Sequence, residues 1–167
     1  MKKIGIFYGS TMGETKDVAE MIVKEIGEDK VELFNVASVS GEEVKKYDNL
    51  ILGSSTWGFG ELQDDWNAFI EDIKNIDFTG KKVALFGLGD QIVYPDTFAD
   101  AIGIIYQVVK DNGAEVIGQV STDGYDFDDS TALNNKQFVG LPLDNNNQAD
   151  KTGERIDSWV KDILEKF

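Results

Sequence analysis

Short apolar runs alternate with stretches of helical spacing from one end of this chain to the other, and few folds accept that pattern. Residues 3–8 form an apolar run closed by Gly9 and read as a buried strand. Val18, Ala19, Ile22, Val23 and Ile26 recur at helical spacing and predict a helix over 14–26. Residues 31–36 read as a strand, and Ser40 with Glu43 forms a capping box that opens a short helix. A strand over 49–54 precedes a helix over 62–73 marked by Leu62, Trp66, Phe69, Ile70 and Ile73. A strand over 81–87 follows. Thr97 is the N-cap of a helix carrying Phe98, Ala101, Ile102, Ile105, Val108 and Val109, which stops at Asn112-Gly113. Residues 115–120 read as a strand, and 151–166 as a helix with Ile156, Trp159, Val160 and Ile163 on one face. Such alternation requires crossover connections, so the strands pair in parallel and helices cover both faces of the sheet. The length suits one domain spanning residues 1–167.

The segment 122–150 breaks the rhythm. It is rich in Asp, Asn and Gly and exceeds an ordinary connection, which signals a functional or solvated excursion. Within it, Lys136-Gln137-Phe138-Val139-Gly140-Leu141 reads as a strand. The last strand is therefore split, with 115–120 and 138–141 flanking an insert. A solvated excursion and a partner-docking role both remain open for that insert.

Three loops follow strand C-terminal ends. Ser10-Thr11-Met12-Gly13-Glu14-Thr15 lies between a strand and a helix, where backbone N–H groups stabilise an anion. Ser10, Thr11 and Thr15 add hydroxyls. The loop lacks the Lys of a nucleoside-triphosphate loop and is not a G-x-G-x-x-G fingerprint, so it suits a small terminal phosphate held by neutral donors. The second loop, Thr56-Trp57-Gly58-Phe59-Gly60, places an indole among small residues, a poor position for core packing. The third, Leu88-Gly89-Asp90-Gln91-Ile92-Val93-Tyr94, supplies a phenol. Two rings flanking one crevice can sandwich a flat heterocycle, with stacking worth about 0.5–1.5 kcal/mol beyond area burial. Trp66 and Trp159 sit at helical spacing among apolar residues and are assigned to packing.

Composition narrows the chemistry. Cys and His are absent, so thiol, iron–sulfur, disulfide and His-metal chemistry are excluded, and redox work needs a bound organic cofactor. A formal charge of −15 argues against nucleic acid and favours a partner with a basic patch. The apolar run after Met1-Lys2-Lys3 is too short for a signal-peptide core, and no stretch is long enough to span a membrane, so a cytoplasmic location is expected.

In order and spacing, the three loops resemble those of the flavodoxins, and the insert with Thr122-Asp123-Gly124-Tyr125-Asp126-Phe127 is similar to that of the long-chain type. The resemblance implies a flavodoxin-like, doubly wound, five-stranded parallel sheet of order 2-1-3-4-5, its last strand split. It implies a low-potential carrier of single electrons on noncovalent FMN, shuttling between semiquinone and hydroquinone, and no enzymatic activity of its own. Phosphate ligands would be Ser10, Thr11, Met12, Gly13, Glu14 and Thr15, with Met12 standing where flavodoxins usually carry a hydroxyl. Thr56, Trp57, Gly58, Phe59 and Gly60, with Leu88, Gly89, Asp90, Tyr94, Thr97 and Phe98, would frame the ring, and Asp144 would reach the ribityl chain. In doubly wound sheets ligands bind at the strand-order reversal, outside the carboxyl ends of the strands, and flavodoxin's FMN is a type case. The Gly58 peptide would flip on reduction so that its carbonyl meets flavin N5–H. Asp90, Glu61, Asp64, Asp65, Asp96 and Asp144 would disfavour an anionic reduced flavin. Implied partners are flavoprotein and iron–sulfur oxidoreductases such as ferredoxin–NADP reductase or pyruvate oxidoreductase, met by a monomer. The enzyme rival is an FMN-dependent NAD(P)H quinone or nitro reductase of the same fold. A phospho-receiver is disfavoured, because Gly9-Ser10-Thr11 and Ser54-Ser55-Thr56 stand where its acidic cluster and phosphorylatable Asp belong.

Overall fold

The computed structural model describes residues 2–167. In chain order the elements are β1 (Ile4–Gly9), α1 (Glu14–Ile26), β2 (Val31–Asn35), β3 (Asn49–Trp57), β4 (Glu61–Leu62), α2 (Asp64–Ile73), β5 (Lys82–Leu88), α3 (Asp100–Asp111), β6 (Glu115–Ile117), β7 (Val120–Ser121), β8 (Leu133–Asn134), β9 (Gln137–Phe138), β10 (Leu141–Leu143) and α4 (Ala149–Lys166). Short 3₁₀ turns occupy Glu28–Lys30 and Gly41–Lys46. The main sheet is parallel in the order β2-β1-β3-β5, with a fifth position shared by two pieces. There β6 pairs with the first half of β5 (Lys82 beside Glu115) and β10 with the second half (Phe86 beside Leu141). This is the doubly wound order expected, with the last strand split.

Side-chain alternation builds two cores. Ile4, Ile6 and Tyr8 of β1, Ile51 of β3 and Ala84 and Phe86 of β5 pack with Val18, Ile22, Ile156 and Val160 of α1 and α4. Phe7, Leu50, Leu52, Val83 and Leu85 point the other way, toward Phe69, Ile73, Ile102 and Ile105 of α2 and α3. Both faces are covered, which is why these strands read as continuous apolar runs. Trp66 and Trp159 are buried and their indole N–H groups are satisfied, by Gly53 O at 2.7 Å and Gly118 O at 2.9 Å, in keeping with packing roles. Among the described residues, no helix is long and apolar enough to cross a membrane.

Several boundaries differ from the sequence reading. Ser40 makes no side-chain cap; Glu43 instead bonds Lys46 Nζ at 2.8 Å, and the element is a 3₁₀ turn. Leu62 is not helical, because it pairs with Thr56 across the β3–β4 hairpin. Helix α2 is capped by Gln63, whose Oε1 accepts from Asp65 N at 3.1 Å and Trp66 N at 3.4 Å. Thr97 does not cap α3 with its side chain; its carbonyl accepts from Asp100 N at 3.3 Å, and the chain enters the helix through Ala99 at φ +56°. Val120 and Phe138 leave the main sheet for a small antiparallel sheet of order β7-β9-β8.

That small sheet anchors the insert, whose aromatic side chains pack on the domain while its Asp and Asn residues at 123, 126, 128, 129, 134 and 135 face solvent. Tyr125, Phe127 and Phe138 surround Phe98, with ring centroids 5.5–6.0 Å from it. The Tyr125 hydroxyl donates to Pro142 O at 2.6 Å, and the Arg155 guanidinium lies 3.9 Å above the Tyr125 ring. Thr131 N donates to Asp100 Oδ1 at 2.8 Å. At Gly103 of α3, a Cβ would stand 2.4 Å from Thr131 O, so only glycine lets the insert backbone lie this close. Gly103→Val is expected to lower the unfolding free energy by about 1–3 kcal/mol in urea titration. An unchanged midpoint would mean the insert is not seated on α3.

Candidate functional site

The C-terminal ends of β1, β3 and β5 open into one cleft of ≈ 280 Å³. Its floor is the start of α1. Gly13 caps that helix at φ +92°, and its N–H donates to Ser10 Oγ at 2.9 Å. The Ser10 hydroxyl, an acceptor in this bond, keeps its own hydrogen to donate. Thr11 Oγ1 accepts from Gln63 Nε2 at 3.1 Å, which ties this loop to the start of α2. Glu14 and the buried Thr15 also line the cleft. The first-turn amides of a helix have no intrahelical acceptors, so this floor offers neutral donors to an anion. Among the described residues, the charged ones lining the cleft are Glu14 and Asp90.

The second wall is the tip of the β3–β4 hairpin. Trp57 is paired in register with Glu61 and is 42% exposed, and its Nε1–H donates to Ser55 Oγ at 2.8 Å, which fixes the indole. Gly58 has φ +53° and Gly60 φ +92°, the left-handed values that a tight hairpin needs. Thr56 Oγ1 accepts from Ala101 N at 3.2 Å, so the hairpin is pinned to the start of α3. Behind it lies Asp100, whose carboxyl burial pushes upward in pKa against hydrogen bonds from Thr131 and Ser130.

The third wall carries Tyr94, 44% exposed. Asp90 Oδ1 accepts from Ile92 N at 3.0 Å and Val93 N at 2.9 Å, and Tyr94 N donates to Asp90 O at 3.0 Å, a turn that aims the phenol. Burial opposes the Asp90 charge, but donors from Val93, Asn147, Asn146 and Ile92 outweigh it and hold the carboxyl below its usual range.

Of the residues singled out by sequence, Ser10, Thr11, Met12, Glu14, Thr15, Thr56, Trp57, Gly58, Leu88, Gly89, Asp90 and Tyr94 line the cleft together. Others stand elsewhere. Gly13 forms the turn beneath it. Phe59, 86% exposed, projects from the hairpin tip, and a Cβ on Gly60 would meet Asp100 Oδ2 at 2.6 Å, on the side away from solvent. Phe98 belongs to the core and its aromatic cluster, and Thr97 lies in the turn leading to α3. Asp144 is fully buried and does not line the cleft; its oxygens accept from Gln91 N at 3.0 Å and from Asn147 N at 3.1 Å. Sequence reading missed Ser55, Asn145 and Asn146, which complete the lining. The polar run directly after the last apolar strand was the available signal, but nothing in it distinguishes one residue from the next.

The family model for flavodoxin matches residues 6–159. A flavodoxin of Nostoc is 49% identical over 166 residues, covering 99% of this chain and 98% of its own. That of Trichodesmium erythraeum is 49% identical over 169 residues, with 100% and 99% covered. Among solved structures, Fusobacterium nucleatum flavodoxin bound to flavin mononucleotide superimposes with a TM-score of 0.95 at 36% identity, over 100% of this chain and 99% of the other.

Proposed function

This chain belongs to the flavodoxin family, and from that premise we propose that it binds FMN noncovalently in the cleft and carries single electrons between redox proteins. FMN supplies the electron-accepting ring; the protein supplies its seat. The observation that carries the reading is the pair Trp57 and Tyr94, two half-exposed aromatic walls of one cleft whose floor is a helix N-terminus. The donor set suits the group. Ser10, Thr11, Thr15 and the first-turn amides would hold the phosphate, and each hydrogen bond to a charged group contributes about 1.5–3 kcal/mol, so no Lys or Arg is needed. Thr56, Gly58, Leu88, Gly89 and Asp90 would border the ring, and Asn145 and Asn146 the chain between ring and phosphate.

The same lining weighs against the reductase rival. A dinucleotide brings further negative charges, and among the described residues the cleft meets them with Glu14 and Asp90 and no cationic side chain. Titration of the apoprotein with FMN tests the reading: tight, saturable quenching of flavin fluorescence and a yellow product are expected, with no steady-state NAD(P)H oxidation. A colourless protein that leaves FMN fluorescence unchanged sinks it.

Charge and shape favour docking to other proteins. Around the cleft, Met12, Phe59, Ile92 and Val93 form an exposed apolar rim. The eight ion pairs among the described residues use none of the carboxylates of the three loops or of the insert. The exposed acids among them, Glu14, Asp123, Asp126, Asp128 and Asp129, are placed to steer a partner with an apolar patch ringed by Lys and Arg, the character expected of a ferredoxin–NADP reductase or a pyruvate oxidoreductase in the cytoplasm. They also penalise added negative charge in the cleft, and each 1.4 kcal/mol of penalty lowers a one-electron potential by about 59 mV. The carrier would act as a monomer.

A further inference from the structure

Two carboxylates of like charge, from distant parts of the chain, are drawn together behind the third loop. Asp90 stands at its start, and Asp144 follows β10. Between them lies the carboxamide of Asn147. Its Nδ2 donates to Asp90 Oδ1 at 2.8 Å and to Asp144 Oδ2 at 2.9 Å, one hydrogen for each acid. The Asn147 backbone N–H adds a bond to Asp144 Oδ1 at 3.1 Å, and Asn146 Nδ2 takes Asp90 Oδ2 at 3.1 Å.

The consequences reach the cleft. Asp144 Oδ2 also accepts from Gln91 N at 3.0 Å, so the second residue of the loop hangs from the same clasp. The Gln91 side chain in turn accepts from Asp126 N of the insert at 2.6 Å. Asp90 organises the turn that aims Tyr94, through its bonds to Ile92 N, Val93 N and Tyr94 N. Without the amide bridge, Asp90 and Asp144 would repel each other across a partly dry gap, and the loop would move outward with its phenol.

We propose that Asn147 is a positioning residue: by bridging Asp90 and Asp144 it fixes the third loop and holds Tyr94 against the flavin. This rests on the reading of the cleft as an FMN site. Asn147 is exposed and carries no core packing, so variants should fold.

Asn147→Leu keeps the volume and removes both donors; Asn147→Asp replaces them with a third carboxylate. For Asn147→Leu the FMN dissociation constant is expected to rise about tenfold, and for Asn147→Asp further still. Both variants should shift the one-electron potentials while the urea midpoint of the apoprotein stays close to that of the parent. In the apoprotein, amide hydrogen exchange should accelerate at least tenfold at Ile92, Val93 and Tyr94 and remain unchanged in β1, β3 and α1. The exchange readout needs no flavin and so stands even if the FMN reading fails. Trp57→Ala, which does not touch the clasp, separates the two ideas. If Trp57→Ala weakens FMN binding while Asn147→Leu leaves affinity, potentials and loop exchange unchanged, the clasp is overturned and the FMN site survives. If the parent protein binds no FMN, the positioning role for flavin falls with that reading.

Discussion

Alanine at Tyr94 or at Trp57 is expected to weaken FMN binding by roughly thirtyfold, the equivalent of about 2 kcal/mol. Each ring is only half covered by protein, so close to half of its surface is left for a guest. Truncation loses the apolar area buried against the flavin, and the stacking preference adds about 0.5–1.5 kcal/mol. The two losses should not add, because both residues touch the same ring, and removing one wall lets the guest tilt away from the other. Fluorescence titration of the apoprotein measures both. Ile92→Ala, an exposed apolar rim residue that does not line the cleft, should leave the constant within about twofold. If Tyr94→Ala and Trp57→Ala also stay within twofold, the sandwich is wrong, and the phosphate floor alone must account for affinity.

Gly58→Val is expected to bring the two one-electron potentials closer together by about 60 mV, the equivalent of about 1.4 kcal/mol. Gly58 occupies φ +53° at the tip of a hairpin whose flanking positions, Trp57 and Glu61, are locked in register. Glycine moves between left-handed and extended backbone without steric cost, so the 58–59 peptide can reorient inside a fixed frame. An L side chain in the left-handed region costs about 1–2 kcal/mol, and a Cβ here would also press on the Glu61 carboxylate at 3.2 Å. The substitution therefore penalises one peptide orientation, and only a carrier that uses that orientation at one oxidation level would show it. Spectroelectrochemical titration gives both potentials. A separation unchanged by Gly58→Val, in a protein that still binds FMN, would reduce Gly58 to a turn residue.

Much of the fold was legible because each strand or helix carries its own periodicity. Helix α1 runs from Glu14 to Ile26, as its apolar spacing predicts. Errors gathered where a long-range bond overrides local preference. Leu62 has helical spacing but is drawn into a hairpin by Thr56, and Gln63 outcompetes the residues before it as a cap. Thr97 is a good cap by type, yet the insert takes Phe98 into its aromatic cluster and shifts the helix start to Asp100. The site followed the same division. Trp57 stands out because an aromatic among small residues at a strand end has no core to join, and Tyr94 because the loop after the next strand end brings it opposite that ring. In the run Asp144-Asn145-Asn146-Asn147, four similar polar residues have different destinations, and only packing separates them: Asp144 fully buried, Asn145 and Asn146 on the cleft, Asn147 across two acids.

Sequence by itself determined the layered sheet, the three loops at its edge, and the absence of any thiol or imidazole to do redox work, because apolar period and residue type are local properties. Tertiary structure alone decided that the insert buttresses the third loop and that an asparagine joins two aspartates behind it. The contacts that tie the third loop to the insert and to the last strand span 35–57 positions of the chain, and such hydrogen bonds leave no trace in the spacing of either segment.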